Sequence, residues 1–323
     1  MKRLGFARCV VATVLALAAL TSTASAQDTL KVAAPYRGAW ETAAPELGQQ
    51  AGIFKKHGIS LDLLYTRDAA ETEQRVTSGA SASDVGLDVS AMAAMRAYTR
   101  TKPVRIIGAN TTGSATYWYV LATSPLKTIK DMVGKTIAFA AHGSPSHYEA
   151  LDLIKEHRLK ARVLLTGGAA ATLNQLTRGE VDVGWASPPV GLKELDEGKI
   201  RIVARANEVK NVKGKTVSVL IANAGTLQNR KDVIARFMQA YRETVAWMYS
   251  DPEALKRYAE FAGVSEEFAK RLRDEFFTKQ MLAPDQIVGL TAIMKDAVTE
   301  KYIERGLSRK QIAELIQIPA AVR

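Results

Sequence analysis

The segment AFAAHGSPSHYEAL, residues 138–151, places two histidines, two serines and a Gly-Ser-Pro turn between a strand-like run and a helix-like run. A hydrolase would use Ser144 or Ser146 as its nucleophile and His142 or His147 as its base. The segment lacks the framing glycines of a Gly-x-Ser-x-Gly elbow. Catalytic triads also assemble from distant segments and not from neighbouring residues. The pattern therefore does not predict a nucleophilic enzyme.

The same segment predicts the first turn of a helix whose free backbone N–H groups are able to hold an anion. Two registers fit the sequence. Pro145 is suited to the first helical position after a Ser144 cap, whereas Ser146 with Glu149 forms a capping box. In both registers the hydroxyls and the ring of His147 stand beside the helix N-terminus. We predict that Ser144, Ser146 and His147 bind a ligand.

Further candidates follow the predicted strands, because open α/β sheets bind ligands at the carboxyl ends of their strands. Arg37 is able to fork onto a sulfonate or carboxylate, and Trp40 or Tyr36 is able to stack on a solute. A surface arginine and a packed tryptophan would explain the same residues. Asp88 and Ser90 stand at a helix start, where simple N-capping would explain them. If Asp88 faces the ligand, it favours a solute with an amino group, which fits a zwitterion and conflicts with a pure anion.

Four later residues complete the predicted site: Thr112, Tyr117, Trp185 and Ser187. Tyr117 and its neighbour Trp118 point to opposite faces of one strand. At most one of them lines a cleft, and we choose Tyr117. Ser187 precedes two prolines, which suggests a shaped rim. The four scattered histidines lack the paired spacing of a metal site, and we predict neither a metal nor a cofactor.

The first 26 residues predict a secretory signal peptide. The basic start MKRLGFAR precedes an apolar run at residues 9–20, and Ala-Ser-Ala at residues 24–26 is a cleavage motif. The apolar run is shorter than the ~20 residues that cross a bilayer. The single cysteine, Cys9, lies in this leader, so the mature chain contains no disulfide, cysteine metal site or thiol nucleophile. We expect a soluble protein in the periplasm after cleavage following Ala26.

Charge and size set further bounds. The net charge is +11, and three of the positive charges belong to the predicted leader. The remaining basic residues alternate with acidic ones, as in IKEHRLKAR, so a nucleic-acid partner is not predicted. A chain of 323 residues with 47% hydrophobic residues exceeds one ordinary core and suggests two domains of ~100–200 residues each.

Short β-branched runs alternate with amphipathic helical runs, which predicts an α/β fold with parallel-type sheets clad by helices. The alternation runs from TLKVAAP to PVRIIGAN and restarts at YWYVLATS. A long strand, TVSVLIANAGTL, then precedes a purely helical tail. We predict a second lobe, residues 116–219, inserted into a first lobe formed by residues 27–115 and 220–323. Two crossing strands between the lobes would form a hinge, so that a cleft closes over a small solute.

Five segments occur in a distinctive order along the mature chain: AGIFKKHGISLDL, SGASASDVGLDVSAM, SPLKTIKDMVGKTIAFAAHGSPSHY, LTRGEVDVGWASPP and RKDVIARFMQAYRETVAWMYSDPEA. In this order they resemble the periplasmic substrate-binding proteins of ABC importers. The similar branch groups nitrate, sulfonate and taurine binders with binders of pyrimidine precursors of thiamine. The resemblance implies a two-lobed, type II periplasmic-binding-protein fold and binding without chemistry.

The resemblance also implies partners. We expect a monomer that captures a small organic anion or zwitterion, such as a taurine-like sulfonate or a carboxylate, and delivers it to a membrane permease. Three alternatives remain: a binder of a pyrimidine precursor of thiamine, a biosynthetic enzyme of the same fold, and a sensory binding protein. The predicted leader and the lack of cysteines after it argue against the enzyme.

Overall fold

The structure is a computed structural model that describes residues 27–78 and 82–321. The predicted signal peptide with Cys9 and the cleavage site after Ala26 lies outside the described residues. So do residues 79–81 of the SGASASD segment. Within the described ranges, no helix combines the length and the apolar character that crossing a membrane requires.

The described chain alternates strands and helices up to residue 223 and is mainly helical afterwards. The strands are β1 (Asp28–Pro35), β2 (Ile59–Thr66), β3 (Val85–Ser90), β4 (Val104–Thr112), β5 (Tyr117–Leu121), β6 (Thr136–Phe139), β7 (Arg162–Leu165), β8 (Gly184–Ala186), β9 (Ile200–Arg205) and β10 (Thr216–Asn223). The α-helices are α1 (Ala44–Gln50), α2 (Ile53–Lys56), α3 (Ala69–Thr77), α4 (Ala91–Thr99), α5 (Pro145–Glu156), α6 (Ala169–Thr177), α7 (Leu192–Asp196), α8 (Lys210–Lys213), α9 (Ala224–Asn229), α10 (Lys231–Ser250), α11 (Pro252–Ala262), α12 (Glu266–Phe276), α13 (Leu290–Thr299) and α14 (Arg309–Leu315). Short 3-10 helices occupy Trp40–Thr42, Ile129–Met132, Ala206–Glu208 and Lys279–Leu282.

The first sheet has the strand order β2-β1-β3-β10-β4. β1 runs parallel to β2 and β3, whereas β10 runs antiparallel to β3 and β4. Thr112 at the end of β4 pairs with Thr216 at the start of β10. The chain thus leaves this sheet and returns to it at the same edge, so the returning strand has to run in the opposite direction. The sheet is mixed for this reason, and not purely parallel.

The chain between β4 and β10 forms the second half of the molecule. β5 lies between β8 and β9 and is antiparallel to both, while β6 runs parallel to β7. The backbone of Val183 bonds to Thr136 and Ala138 at 3.0 and 2.9 Å, which joins these two small sheets. The chain crosses between the halves after β4 and before β10. The predicted lobe boundaries, 115/116 and 219/220, fall within a few residues of these two crossings and stay a prediction.

Local signals set where several elements begin and end. The amphipathic run at residues 43–58 is divided into α1 and α2, because Gly52 takes a left-handed φ of 76° between them. β10 ends at Asn223, whose side-chain oxygen accepts hydrogen bonds from the amides of Gly225 and Thr226 and thereby starts α9. α5 begins at Pro145 with Ser144 at the N-cap. This is the first of the two registers that the sequence allows.

A buried ion-pair network joins the two halves beside the start of β10. The Nζ atom of Lys215, whose side chain is 7% exposed, lies 3.1 Å from Oδ2 of Asp152 and 2.7 Å from Oδ2 of Asp296. The amide of Asn211 donates to both carboxylates at 2.6 and 3.1 Å. Asp152 belongs to α5 and Asp296 to α13, so the network fixes α5 against the helical tail at the point where the chain returns.

We predict that Lys215→Met lowers the free energy of unfolding by about 3–5 kcal/mol, because it leaves two carboxylates in this network without their cation. Denaturant titration measures the change. Lys199→Met is the control, since the 67% exposed Lys199 pairs with Glu197 at the surface, where such pairs contribute only ~0–1 kcal/mol. Equal losses in the two variants would contradict the structural role of the network.

Candidate ligand-binding site

A cavity of about 350 Å³ lies between the first sheet and the second half. One side of its wall comes from the segments after β1, β2 and β4, from β3 and from the start of β10. The other side comes from the ends of β6 and β8 and from the first turns of α5 and α6. Its polar and aromatic wall residues are Tyr36, Arg37, Glu41, Arg67, Asp88, Thr111, Ser114, Thr116, Ser144, Ser146, Glu149, Trp185, Ser187, Ser218 and Phe277. The volume falls in the range of ~300–1,000 Å³ that is typical of small-molecule sites.

The structure brings six of the predicted site residues into this wall: Arg37, Asp88, Ser144, Ser146, Trp185 and Ser187. Arg37, Ser144 and Ser187 follow strands, whereas the other three lie within β3, β8 and the first turn of α5. The cavity is thus at the carboxyl ends of strands, where open α/β sheets place ligands. The hydroxyls of Ser144 and Ser146 lie 3.0 Å apart. They accept hydrogen bonds from the amides of Ala141 and Ala140 at 3.4 and 3.0 Å. The two serines therefore also hold the loop that precedes α5.

Two predicted aromatic residues lie in the core and not in the cavity wall. Trp40 is fully buried; its Nε1 donates to Oη of Tyr249 at 3.1 Å, and its ring meets Tyr258 edge-on at 4.6 Å. Tyr117 is also fully buried, and its Oη donates to the carbonyl of Val190 at 2.6 Å. Both rings are large enough to dominate packing, which explains why a strand-end position did not bring them to the ligand side.

Three smaller predicted residues also lie outside the wall. Thr112 contacts Thr216 at 3.0 Å between the hydroxyls, and its neighbour Thr111 lines the cavity instead, because alternate strand residues face opposite sides. Ser90 is buried at the N-cap of α4 without a side-chain capping bond. The ring of His147 stacks on Phe139 at 4.4 Å. Burial, with a smaller contribution from His142, lowers the pKa of His147 to about 4, so this ring is neutral at physiological pH.

The two arginines of the wall are engaged by groups outside it. Nη1 of Arg37 donates to the carbonyl of Phe261 at 3.2 Å, and the guanidinium lies 4.7 Å from the centre of the Phe261 ring. Arg67 is 88% exposed and pairs with Glu71 at 3.1 Å. Arg37 and Arg67 are the only basic residues among the described wall residues. The predicted fork of Arg37 onto an anion therefore competes with its contacts to Phe261.

Three carboxyl groups from three separate elements lie in the wall: Glu41 in the 3-10 helix after β1, Asp88 in β3 and Glu149 in α5. Glu149 is only 1% exposed. Its Oε2 atom and that of Glu41 have no hydrogen-bond partner among the described residues. Oε1 of Glu41 accepts a hydrogen bond from Ser187 across the cavity at 3.2 Å. None of the three carboxyls forms an ion pair with another described residue.

Burial raises the pKa of each of these carboxyls, because it disfavours the charged form. The pKa of Glu41 rises to about 8, with the charge of Asp88 adding to the effect. The pKa of Asp88 rises to about 6, although the hydroxyl of Ser218 opposes the shift. The pKa of Glu149 rises to about 7. Near neutral pH the ligand-free protein therefore retains protons on some of these carboxyls.

The backbone at two wall residues is strained. Tyr36 and Asp88 both have a φ of 54°, in the left-handed region that residues with a Cβ seldom adopt. Such a conformation costs roughly 1–2 kcal/mol per residue. Strain of this kind concentrates at functional sites, and here it places both residues in the cavity wall.

The sequence analysis missed several wall residues, of which Glu41 and Glu149 are the most consequential. Glu149 was interpreted only as part of a capping box. Its spacing of three from Ser146 places both on one helix face, and this signal could have indicated that it lines the site. Glu41 carries no comparable signal, because its position depends on how the 3-10 helix turns after β1.

Comparisons with known proteins agree with this geometry. The family model described as NMT1/THI5 like matches residues 44–255. The chain belongs to the NMT1/THI5-like family. No curated protein matches the sequence significantly. This membership agrees with the resemblance of the sequence to periplasmic substrate-binding proteins.

Three solved structures have folds similar to that of this chain. The periplasmic aliphatic sulphonate binding protein SsuA from Escherichia coli has a TM-score of 0.68 and 15% identity, covering 91% of this chain and 94% of its own. The periplasmic nitrate-binding protein NrtA from Synechocystis PCC 6803 has a TM-score of 0.66 and 14% identity, covering 89% and 84%. A mutant of DSZB in complex with biphenyl-2-sulfinic acid has a TM-score of 0.64 and 16% identity, covering 88% and 96%. The predicted periplasmic-binding-protein fold is confirmed.

We predict that the ligand-free protein becomes less stable as the pH rises from 5 to 8. The pKa of Glu149 is about 7 when folded, against an ordinary value of 4.5. Over this interval the folded state therefore binds protons that the unfolded state has lost, and the free energy of unfolding falls. Glu149 contributes up to about 3 kcal/mol, at 1.36 kcal/mol per pKa unit.

Denaturant titrations at several pH values measure this slope. Glu149→Gln keeps the shape of the side chain and removes its titration, so its stability should fall less steeply with pH. Glu267→Gln, at an exposed position on α12, should retain the slope of the unmodified protein. A slope that is unchanged in Glu149→Gln would show that Glu149 has an ordinary pKa.

Proposed function

We propose that this protein is the periplasmic solute-binding component of an ABC importer, which binds a small organic solute in the described cavity and delivers it to a membrane permease. The family, the fold and the predicted leader support this proposal. The single observation that carries it is a cavity of ligand size whose wall is drawn from both halves of the molecule.

The connections between the halves favour hinge closure. The chain passes between them twice, after β4 and before β10, and the ends of those strands pair with each other through Thr112 and Thr216. Rotation about this pair would separate the two walls while leaving both sheets intact. The Glu41–Ser187 hydrogen bond spans the cavity and is one of the contacts that such an opening would break, together with the Arg271–Asp196 ion pair between α12 and α7. Rotation of the halves in one direction would close the cavity over a solute, and rotation in the other direction would release the solute at a permease.

The wall favours a solute that donates hydrogen bonds. Asp88 lies in the wall. A carboxylate that faces the ligand favours a solute with an amino group, and hence a zwitterion over a pure anion. A taurine-like amino sulfonate meets the condition. A pyrimidine precursor of thiamine is the second candidate. Its amino group would meet the carboxyls, and its ring would pack against Trp185, which also lies in the wall.

The hydrogen bonds of the cavity serines support binding without chemistry. Ser144 and Ser146 bond to each other and to backbone amides. Nδ1 of His147 accepts from the amide of Gly143 at 3.4 Å. Among the described residues of this segment, no serine hydroxyl is bonded to a histidine ring, so the arrangement that activates a serine nucleophile is not formed.

We predict that a thermal-shift panel of sulfonates, amino sulfonates, carboxylates and aminopyrimidines identifies at least one tight ligand, which mass spectrometry recovers unchanged after incubation. Binding should alter tryptophan fluorescence, because Trp185 lies in the wall. The change should disappear in Trp185→Phe and persist in Trp247→Phe, since Trp247 lies on α10 and donates to Asp251. Conversion of the ligand into a product would contradict the proposed function.

A further inference from the structure

We propose that the group which this cavity recognises is a positively charged nitrogen head, a protonated amine or amidine, held jointly by Glu41, Asp88 and Glu149. The inference rests on the proposed function and narrows it. It assigns the solute to the small organic cations, or to zwitterions that are bound through their cationic end. It also reverses the expectation that an anionic group is the main determinant.

The carboxyl groups reach one cavity from different parts of the fold. Glu41 and Asp88 come from the first half, and Glu149 comes from α5 in the second half. Closure of the two halves therefore brings them together around a bound head group. The Oε2 atoms of Glu41 and Glu149 are buried without a hydrogen-bond partner among the described residues. A buried acceptor without a partner is costly, and an N–H-bearing ligand would satisfy both.

None of the three carboxyls has a basic ion-pair partner in the part of the chain that the structure describes. Among the described residues, the ion pairs near the cavity involve other acids: Asp152 pairs with Lys215, and Glu71 pairs with the exposed wall residue Arg67. Arg37 is held by the carbonyl and the ring of Phe261. A bound cation would therefore be the first ion-pair partner of these three carboxyls. Its attraction to the carboxyls would be strong, because a partly buried site screens charge weakly.

The groups expected to hold an anion are less available. His147 is outside the wall, and its ring is neutral at physiological pH because burial lowers its pKa. The hydroxyls of Ser144 and Ser146 are bonded to each other and accept from two backbone amides. The first turn of α5 still presents its dipole, but Glu149 lies one turn further along the same helix. An anion placed there would face the buried carboxyl of Glu149.

The remaining wall suits an apolar body attached to the charged head. Trp185, Pro188, Pro189, Val217 and Phe277 line the cavity. Trp185 is only 5% exposed, and its Nε1 has no hydrogen-bond partner among the described residues. An indole beside a cationic head adds a cation–π attraction. The expected solute therefore combines an N–H-bearing cationic head with a compact apolar or aromatic body.

Binding of a cation should release protons, because it favours the ionised carboxyls. The other charged or titratable groups that face them are the phenols of Tyr36, Tyr241, Tyr249 and Tyr258, the guanidinium groups of Arg37 and Arg67, and the Asp152–Lys215 pair. Burial raises the pKa of the phenols further above the physiological range. They stay neutral, and the carboxyls account for the pH dependence. Affinity for a cation should rise from pH 6 to pH 8.

Matched probes test the charge assignment on the full mature chain. Benzylammonium, benzamidinium, benzenesulfonate and benzoate share one aromatic body, and butylammonium with butanesulfonate share an aliphatic one. Calorimetry should give at least about tenfold tighter binding for the cation of a pair, as expected for one charge-assisted hydrogen bond. In two buffers of different ionisation enthalpy, the same titrations should reveal proton release at pH 7.

Variants locate the effect. Glu149→Gln and Glu41→Gln should each weaken cation binding by at least about tenfold, which is the loss of one charge-assisted hydrogen bond. They should also flatten its dependence on pH. Glu267→Gln is the matched surface control and should change neither. Thermal unfolding of each variant confirms that the fold is retained, so that a loss of affinity is assigned to the cavity.

The possible outcomes separate this inference from the proposed function. Preference for the cations, lost in Glu149→Gln, supports both. Preference for benzenesulfonate, benzoate or butanesulfonate overturns the cation assignment and leaves solute binding in place. Binding of cations that is insensitive to both glutamate substitutions also overturns the assignment. If no probe and no member of the broader solute panel binds, the proposed function itself fails.

Discussion

Three carboxyl groups share one cavity and form no ion pair with any described basic residue, and this constraint organises the site. Burial of an acid without a counter-charge raises its pKa, and the pKa values of about 8, 6 and 7 for Glu41, Asp88 and Glu149 express that cost. Strained backbone at Asp88 adds to it. A structure that retains such a cluster is less stable without its ligand than with it, because a ligand that binds the folded state stabilises it.

The fold distributes these three carboxyls over two halves of the molecule that are able to move apart. Two of the carboxyls belong to the first half and one belongs to α5, while β4 and β10 connect the halves at one edge of the first sheet. Beside that edge, Lys215 links Asp152 of α5 to Asp296 of α13. The cavity is therefore formed by the relative position of the two halves of the molecule and not by one rigid wall. This arrangement is suited to capture and release, in which the ligand completes a contact surface that neither half provides alone.

The sequence predicted the architecture well because the signals for it are local and repeated. Alternating strand and helix patterns located both sheets, and strand ends identified Arg37, Asp88, Trp185 and Ser187 as wall residues. The direction of β10 was not predictable, since it depends on the edge at which the chain returns. Trp40 and Tyr117 were predicted to contact the ligand, but both are buried in the core. A position near a strand end does not show whether an aromatic ring packs in the core or lines a cavity. The charge of the site was missed for a related reason: Glu41 and Glu149 meet only in three dimensions.

The site described above would hold a cationic head between the two halves, against the three carboxyls. A crystal structure of the mature protein with the tightest solute from the binding panel tests it most directly. We expect ligand nitrogen atoms within about 3 Å of the oxygens of Glu149 and of Glu41 or Asp88, which is the distance of a charge-assisted hydrogen bond. The body of the solute should lie against Trp185. A solute whose acidic group occupies that position, or one bound outside the cavity, would contradict the account.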